Sequence, residues 1–458
     1  MKVIICGAGQ VGSGIAKQLA AEGNDVTVVD RSQELVQNIA DNLDVRAILG
    51  HGSQPDVLAR AGAADADMLI AVTFHDEVNM VACQVAHSVF NVPTKIARIR
   101  AQSYLKAGYQ SLFARDHMPI DVIISPELEV GRTVMRRLAV PGAFEILDFA
   151  NGRVNVVGVT AEEDCPIVNT PLRQLTELFP ALRARIVGIS RDGSMFVPHS
   201  DDQMIVGDDV YFVSDTRDTK RTLAIFGHEE QEARRVLVVG AGNIGLYVAQ
   251  QIEQDHPGVK IKLIERDRER ALRAADQLKR TIVLHGDGLD PELLREAGIA
   301  ETETLVTLTN DDQANILTCV IAKREGCQRT MSLINTATYM PLMRSLGIDA
   351  FLNPRATTVS HVLQHVRRGR IRGLRSVQDG ASEVIEAEAL ETSPLVGKPL
   401  REVRLPDGML VGAVVRGPKV MVPDGATEVQ AGDTVIMFAK SEQVRKVEQM
   451  FRVSLEFF

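Results

Sequence analysis

The run Val3-Ile4-Ile5-Cys6-Gly7-Ala8-Gly9-Gln10-Val11-Gly12 returns later in the chain as Val236-Leu237-Val238-Val239-Gly240-Ala241-Gly242-Asn243-Ile244-Gly245. In each copy a short, β-branched apolar segment reads as a buried parallel strand, and Gly-x-Gly-x-x-Gly then turns the chain into a helix. The three glycines have separate tasks. The first (Gly7, Gly240) permits the tight turn, the second (Gly9, Gly242) lets backbone approach a pyrophosphate, and the third (Gly12, Gly245) lets helix pack close to strand. The helix N-terminus then faces the phosphates. The next apolar strand ends at Asp30, 18 residues beyond Gly12, and its counterpart ends at Glu265, 20 residues beyond Gly245. This is about the spacing at which an acidic side chain meets ribose hydroxyls. A carboxylate there repels a 2′-phosphate and favours NAD over NADP, while Arg31 and Arg266, which follow immediately, leave the NADP reading open.

The repeat extends well past the loops. Gly50-His51-Gly52-Ser53-Gln54-Pro55 matches Gly286-Asp287-Gly288-Leu289-Asp290-Pro291, and residues 68–79 match 304–315 at the same offset of 236. So long an ungapped match marks a tandem duplication. Each copy reads as a doubly wound parallel sheet, with strands in the first near 2–6, 26–29, 45–49, 68–72, 95–99 and 122–124. Ligands lie at the carboxyl ends of such strands, which puts Thr73 beside the glycine loop. There it either faces the nucleotide or caps the following helix, with Asp76 in the first turn.

From Phe144 the composition changes to short strands and glycine turns, and this pattern also recurs. Pro394-Leu395-Val396-Gly397-Lys398-Pro399-Leu400-Arg401 echoes Pro166-Ile167-Val168-Asn169-Thr170-Pro171-Leu172-Arg173, and Gly432-Asp433-Thr434-Val435-Ile436 echoes Gly207-Asp208-Asp209-Val210-Tyr211. The expected fold class is α/β: two Rossmann-like doubly wound parallel-sheet domains, each followed by a small α+β domain. The order is a nucleotide-binding domain over 1–124, a linker helix over 125–143 and a small β-rich domain over 144–228. A second nucleotide-binding domain follows over 232–353, then a linker helix over 354–372 and a second small domain over 373–458.

With 45% apolar residues, each domain can bury a core, and no apolar run approaches the ~20 residues that span a bilayer. The chain opens on a core strand rather than a leader, so a soluble cytoplasmic protein is expected. A formal net charge of −9 argues against nucleic acid as the main partner, and with 4% aromatic residues and no Trp no stacking platform is visible. The five scattered cysteines suit buried free thiols. His361 and His365 share a helix face but have no third ligand, so they read as exposed helix histidines and no metal site is expected. The basic run from His361 to Arg375 reads as a solvated helix end and linker; the other reading is a docking surface for acidic protein or phospholipid headgroups.

The sequence around the first cradle resembles a known family. The residues that carry the resemblance are Cys6 to Gly12, Asp30, Gly50-His51-Gly52-Ser53, Asp76-Glu77-Val78-Asn79-Met80-Val81-Ala82-Cys83 and Ile96-Ala97-Arg98-Ile99-Arg100, together with the duplicated order. They look like the NAD-binding cytosolic subunit of bacterial Trk potassium-uptake systems. The resemblance implies two regulator-of-potassium-conductance units per chain and assembly into a homotetrameric ring. It also implies docking onto a membrane-embedded Trk potassium channel subunit, without direct insertion into the membrane, at the inner face of the cell membrane. NAD(H) and ATP or ADP would control gating. Carried over residue by residue, the first site comprises Gly7, Ala8, Gly9, Gln10, Val11, Asp30, Thr73, Phe74 and Arg98. The second comprises Gly240, Ala241, Gly242, Asn243, Ile244, Glu265, Thr309 and Asn310.

The rival reading is an NAD-dependent oxidoreductase. It requires a catalytic acid or base beside the nicotinamide. The chain shows no such constellation, so no catalytic residue is expected, and two cradles suit two inputs to one conformational equilibrium. The cradles are not expected to be equal: Arg98 ends the fifth strand of the first, where the second offers Leu333 or Ile334, so the first is expected to bind more tightly.

Overall fold

Six apolar segments of the first repeat become parallel strands because residues such as Ile4, Ile5, Val28, Leu69, Ile70 and Ile96 are buried on both faces of one sheet. A computed structural model describes residues 1–179, 183–366 and 371–451. Residues 367–370 of the basic run, which include Arg367, Arg368 and Arg370, lie outside the described residues. The chain falls into two compact units. One holds Met1–Val130 and Asn353–Val366, and the other holds the remaining described residues.

In the first unit the strands are β1 (Lys2–Cys6), β2 (Asp25–Asp30), β3 (Arg46–Leu49), β4 (Met68–Ala71), β5 (Thr94–Arg98) and β6 (Val122–Ile124). Between them run α1 (Gln10–Ala21), α2 (Gln33–Asn42), α3 (Pro55–Arg60) and α4 (Asp76–Ser88), and α5 (Pro126–Ala139) leaves the sheet. The spatial order β3-β2-β1-β4-β5-β6 is that of a dinucleotide-binding fold. Its switch point lies between β1 and β4, where Cys6 pairs with Ala71 at the strand tips.

The second unit begins with a small antiparallel sheet formed by β7 (Glu145–Phe149), β8 (Val154–Thr160), β9 (Ala184–Arg191), β10 (Ser194–Phe196) and β11 (Asp209–Asp215), with α6 (Leu172–Leu178) and α7 (Thr219–Ile225). The second parallel sheet follows with β12 (Arg235–Val239), β13 (Lys260–Glu265), β14 (Ile282–His285), β15 (Thr304–Thr307), β16 (Arg329–Leu333) and β17 (Ala350–Leu352). Its helices are α8 (Asn243–Asp255), α9 (Arg268–Gln277), α10 (Pro291–Glu296) and α11 (Asp312–Arg324), and its order β14-β13-β12-β15-β16-β17 repeats the first. After α12 (Pro354–Val366) the last sheet comprises β18 (Ile371–Val377), β19 (Ser382–Glu388), β20 (Met409–Arg416), β21 (Lys419–Met421) and β22 (Thr434–Lys440), closed by α13 (Val444–Met450). The two small sheets share one core, in which Val187, Tyr211 and Val213 meet Ala413, Val415 and Phe438.

One element lies where the sequence order does not suggest. Helix α12, read as the linker of the second half, belongs to the first unit, where Val362, Leu363 and Val366 pack with Ile5, Ile15 and Val28. His361 is accordingly half-buried, 3.9 Å from Glu129. The expectation of exposed histidines is corrected for His361, because that turn of α12 is covered by packing, and it holds for His365, which is exposed. All five cysteines are free and buried, and burial raises the Cys6 and Cys319 thiols to about 12.

Candidate nucleotide sites

Each glycine loop has one glycine imposed by backbone, one by helix packing and one by nothing inside the protein. Gly7 sits at φ +114°, and a Cβ there would lie 3.0 Å from the Thr73 amide nitrogen. Gly240 repeats this at φ +105°, against the backbone of Leu308 and Thr309. A Cβ on Gly12 would meet the Gly7 carbonyl oxygen at 1.8 Å, and one on Gly245 would meet that of Gly240 at 1.9 Å. Gly9 and Gly242 differ. Their φ values are −64° and −69°, ordinary for any residue, and a Cβ on either would find nothing within 4 Å. Both precede long helices, α1 and α8, with no side-chain cap and no acid in the first turn. By contrast α2, α9 and α11 are capped by Ser32, Asp267 and Asp311. Uncapped helix amides beside open space form a cradle for an anion.

The carboxylates that end the second strands are held alike in both copies. Asp30 accepts from the Ala8 amide at 2.7 Å and from the Ser32 amide at 2.8 Å. Glu265 accepts from the Ala241 amide at 2.7 Å and from the Asp267 amide at 2.8 Å. Each acid therefore ties the glycine loop to the turn after the second strand, at the edge of the cradle. Gln10, Val11, Asn243 and Ile244 begin the two cradle helices, with Ala8 and Ala241 in the turns before them.

At the tips of β4 and β5 a buried asparagine organises the floor. Asn79, on the first turn of α4, accepts from the Thr73 amide at 2.9 Å and the Thr73 hydroxyl at 2.7 Å, and it donates to the carbonyls of Thr73 and Arg98. Asn315 does the same for Thr309 and the carbonyl of Leu333. Thr73 is not the cap of α4, because His75 occupies that position without a side-chain hydrogen bond. Asp76 is likewise more than a first-turn acid: its carboxylate accepts from the amides of Arg100 and Ala101, as that of Asp312 does from Asn335 and Thr336. These four polar residues escape sequence reasoning about sites. Their signal was their recurrence at the same offset in the repeat.

The asparagine contacts settle the alignment of the fifth strands: Arg98 stands where the second copy has Leu333, and Arg100 where it has Asn335. Phe74, 70% exposed, lies under the Arg100 guanidinium at 5.0 Å, and Asn310 replaces it in the second copy. Arg100 also donates to Glu127 at 2.8 Å. The Arg98 Nε is buried without a hydrogen-bond partner among the described residues, and Oε2 of Glu127 is in the same position. Burial first, then the neighbouring Arg100, lowers the Arg98 pKa, while Glu127 and Asp76 act the other way. At these three positions the first copy thus carries an aromatic ring and two cations where the second carries Asn310, Leu333 and Asn335.

The TrkA-N domain family matches residues 3–126 and 236–354, and the TrkA-C domain family matches 156–227 and 384–452. The chain is 58% identical over 458 residues to the Trk system potassium uptake protein TrkA of Azorhizobium caulinodans, covering 100% of each. It is 41% identical over 462 residues to the protein of the same name from Halomonas elongata, again covering 100% of each. Among solved structures, the GsuK channel bound to NAD matches with a TM-score of 0.59 at 17% identity, covering 98% of this chain and 78% of that chain. At that identity the likeness speaks for the fold. The fold is a tandem one, with a Rossmann-like TrkA-N domain and a small TrkA-C domain each present twice. The chain belongs to the TrkA family of Trk potassium-uptake systems and is a regulatory subunit of potassium transport. That family is one of transport regulators rather than enzymes.

Proposed function

We propose that both cradles bind adenine nucleotides without transforming them, and that their occupancy sets the conductance of a membrane-embedded Trk-type potassium channel. The ligand is NAD(H), with ATP or ADP entering through the adenosine diphosphate portion they share with it. The first site is formed by Gly7 to Val11, Asp30, Thr73, Phe74 and Arg98, and the second by Gly240 to Ile244, Glu265, Thr309 and Asn310. The chain works as a homotetrameric ring on the cytoplasmic side of its channel.

The observation that carries this reading is the pair Gly9 and Gly242. Neither the backbone angles nor internal packing calls for glycine at either place, yet both copies have it, beside uncapped helix amides. A pyrophosphate against the backbone accounts for both. The residues present fit a dinucleotide: amides for the phosphates, a carboxylate for the ribose and, in the first site, Phe74 and Arg98 at the far end.

The test uses a strain that depends on this system for potassium. Deleting the chain lowers uptake at low external potassium, and restoring it as Gly9→Val with Gly242→Val returns protein but not nucleotide-dependent control. Normal uptake without the chain contradicts the channel partnership. Normal control by the double variant contradicts the role of the cradles.

A further inference from the structure

The two cradles are equivalent at the ribose carboxylate but not beside it. Ser32 and Asp267 both cap the next helix, Ser32 accepting from the Leu35 amide and Asp267 from the Arg270 amide. Leu35 and Arg270 are therefore equivalent positions. In the first copy that position is an apolar side chain. In the second it is a guanidinium, 48% exposed, that lies 3.6 Å from Oε1 of Glu265 and has its Nε 3.8 Å from Oδ1 of Asp267. The surrounding charge follows the same trend. Residues 266–273 contain Arg266, Arg268, Arg270 and Arg273 against two acids, whereas the equivalent residues 31–38 contain Arg31 alone against Glu34.

The carboxylates do not account for a difference, because each has its two oxygens on the same two backbone amides. What differs is the cation available at the 2′ corner of the ribose. A lone carboxylate there repels a 2′-phosphate, and an arginine beside it accommodates one. We propose that the second cradle accepts a 2′-phosphorylated adenine dinucleotide, NADP(H), which the first excludes. Arg270 is the specificity-determining residue, exchanging its contacts with Glu265 and Asp267 for one with the phosphate. This rests on the reading of both cradles as nucleotide sites. It makes the second site responsive to a different coenzyme pool from the first, where Arg98 and Arg100 place positive charge at the opposite end of the ligand.

The experiment titrates NADH and NADPH into two full-length variants, Gly9→Val to isolate the second site and Gly242→Val to isolate the first. The readout is the ratio of NADPH to NADH affinity at each site. The ratio is expected to be about tenfold or more higher at the second site, equivalent to ~1.4 kcal/mol. Arg270→Leu in the Gly9→Val background lowers it toward the first-site value, and Leu35→Arg in the Gly242→Val background raises the first-site ratio. Equal ratios at the two sites, or a second-site ratio that Arg270→Leu does not change, overturn the inference. Absence of NADH binding from both variants overturns the cradle reading itself, and the inference with it.

Discussion

Single residues determine whether each cradle keeps its shape. Asn79 is fully buried and satisfies one amide, one hydroxyl and two carbonyls at the tips of β4 and β5. Asn79→Ala removes the side-chain partner of the Thr73 amide and of the Thr73 and Arg98 carbonyls, while the Thr73 hydroxyl keeps its bond to the His75 carbonyl, and the expected loss is about 1–3 kcal/mol. Denaturant unfolding checks this, and an unchanged midpoint contradicts it. Arg98 plays a different part. Its guanidinium is partly buried with an unpartnered Nε, so Arg98→Leu, which copies the second site, is expected to weaken first-site NADH binding by roughly tenfold or more. Calorimetry on Gly242→Val with and without Arg98→Leu reads the effect, and equal affinities remove Arg98 from the site. Sequence made the glycines and acids legible because their spacing is fixed by one local strand-turn-helix unit. Asn79 and Asp76 stayed hidden as site organisers because their partners, Arg98 to Ala101, lie about 20 residues away and meet them only when the strand tips converge.

At the level of elements, the strands were readable because they are buried on both faces and appear as continuous apolar runs bounded by turns. The observed strands of the first sheet fall within two residues of the expected ones. Helix α12 was not readable in the same way. Its sequence shows a helix, but nothing local shows that Val362, Leu363 and Val366 complete a core built from residues below 130. Leu363→Ala opens a cavity in that core, expected to cost about 2–5 kcal/mol by the usual large-to-small series. Native-state hydrogen exchange checks the location: β1 and α1 are expected to lose protection, and a loss confined to the small domains would contradict the assignment. The same packing means that a chain cut between its two halves strips the first unit of α12. Binding at either site is therefore read in the intact chain.

The whole molecule is one Rossmann-like domain and one small sheet domain, each built twice, and both copies keep a glycine, Gly9 and Gly242, that neither backbone angles nor internal packing requires. Duplication preserved the glycine loops, the ribose carboxylates and the asparagine floor, while the rim residues diverged to Phe74, Arg98 and Arg100 in one copy and Asn310, Leu333 and Asn335 in the other. On the proposed function, two unlike sites on one chain would supply two inputs to one equilibrium, each able to shift it only by its differential affinity for the two states. On the proposed function both cradles bind dinucleotide and neither consumes it. The measurement that bears on it most directly is the stoichiometry of NADH bound to the full-length chain, with absorbance followed over the same period. Two NADH per chain are expected, one in either Gly9→Val or Gly242→Val and none in the double variant, with stable absorbance throughout. A stoichiometry indifferent to the two substitutions, or steady oxidation of the bound NADH, would contradict it.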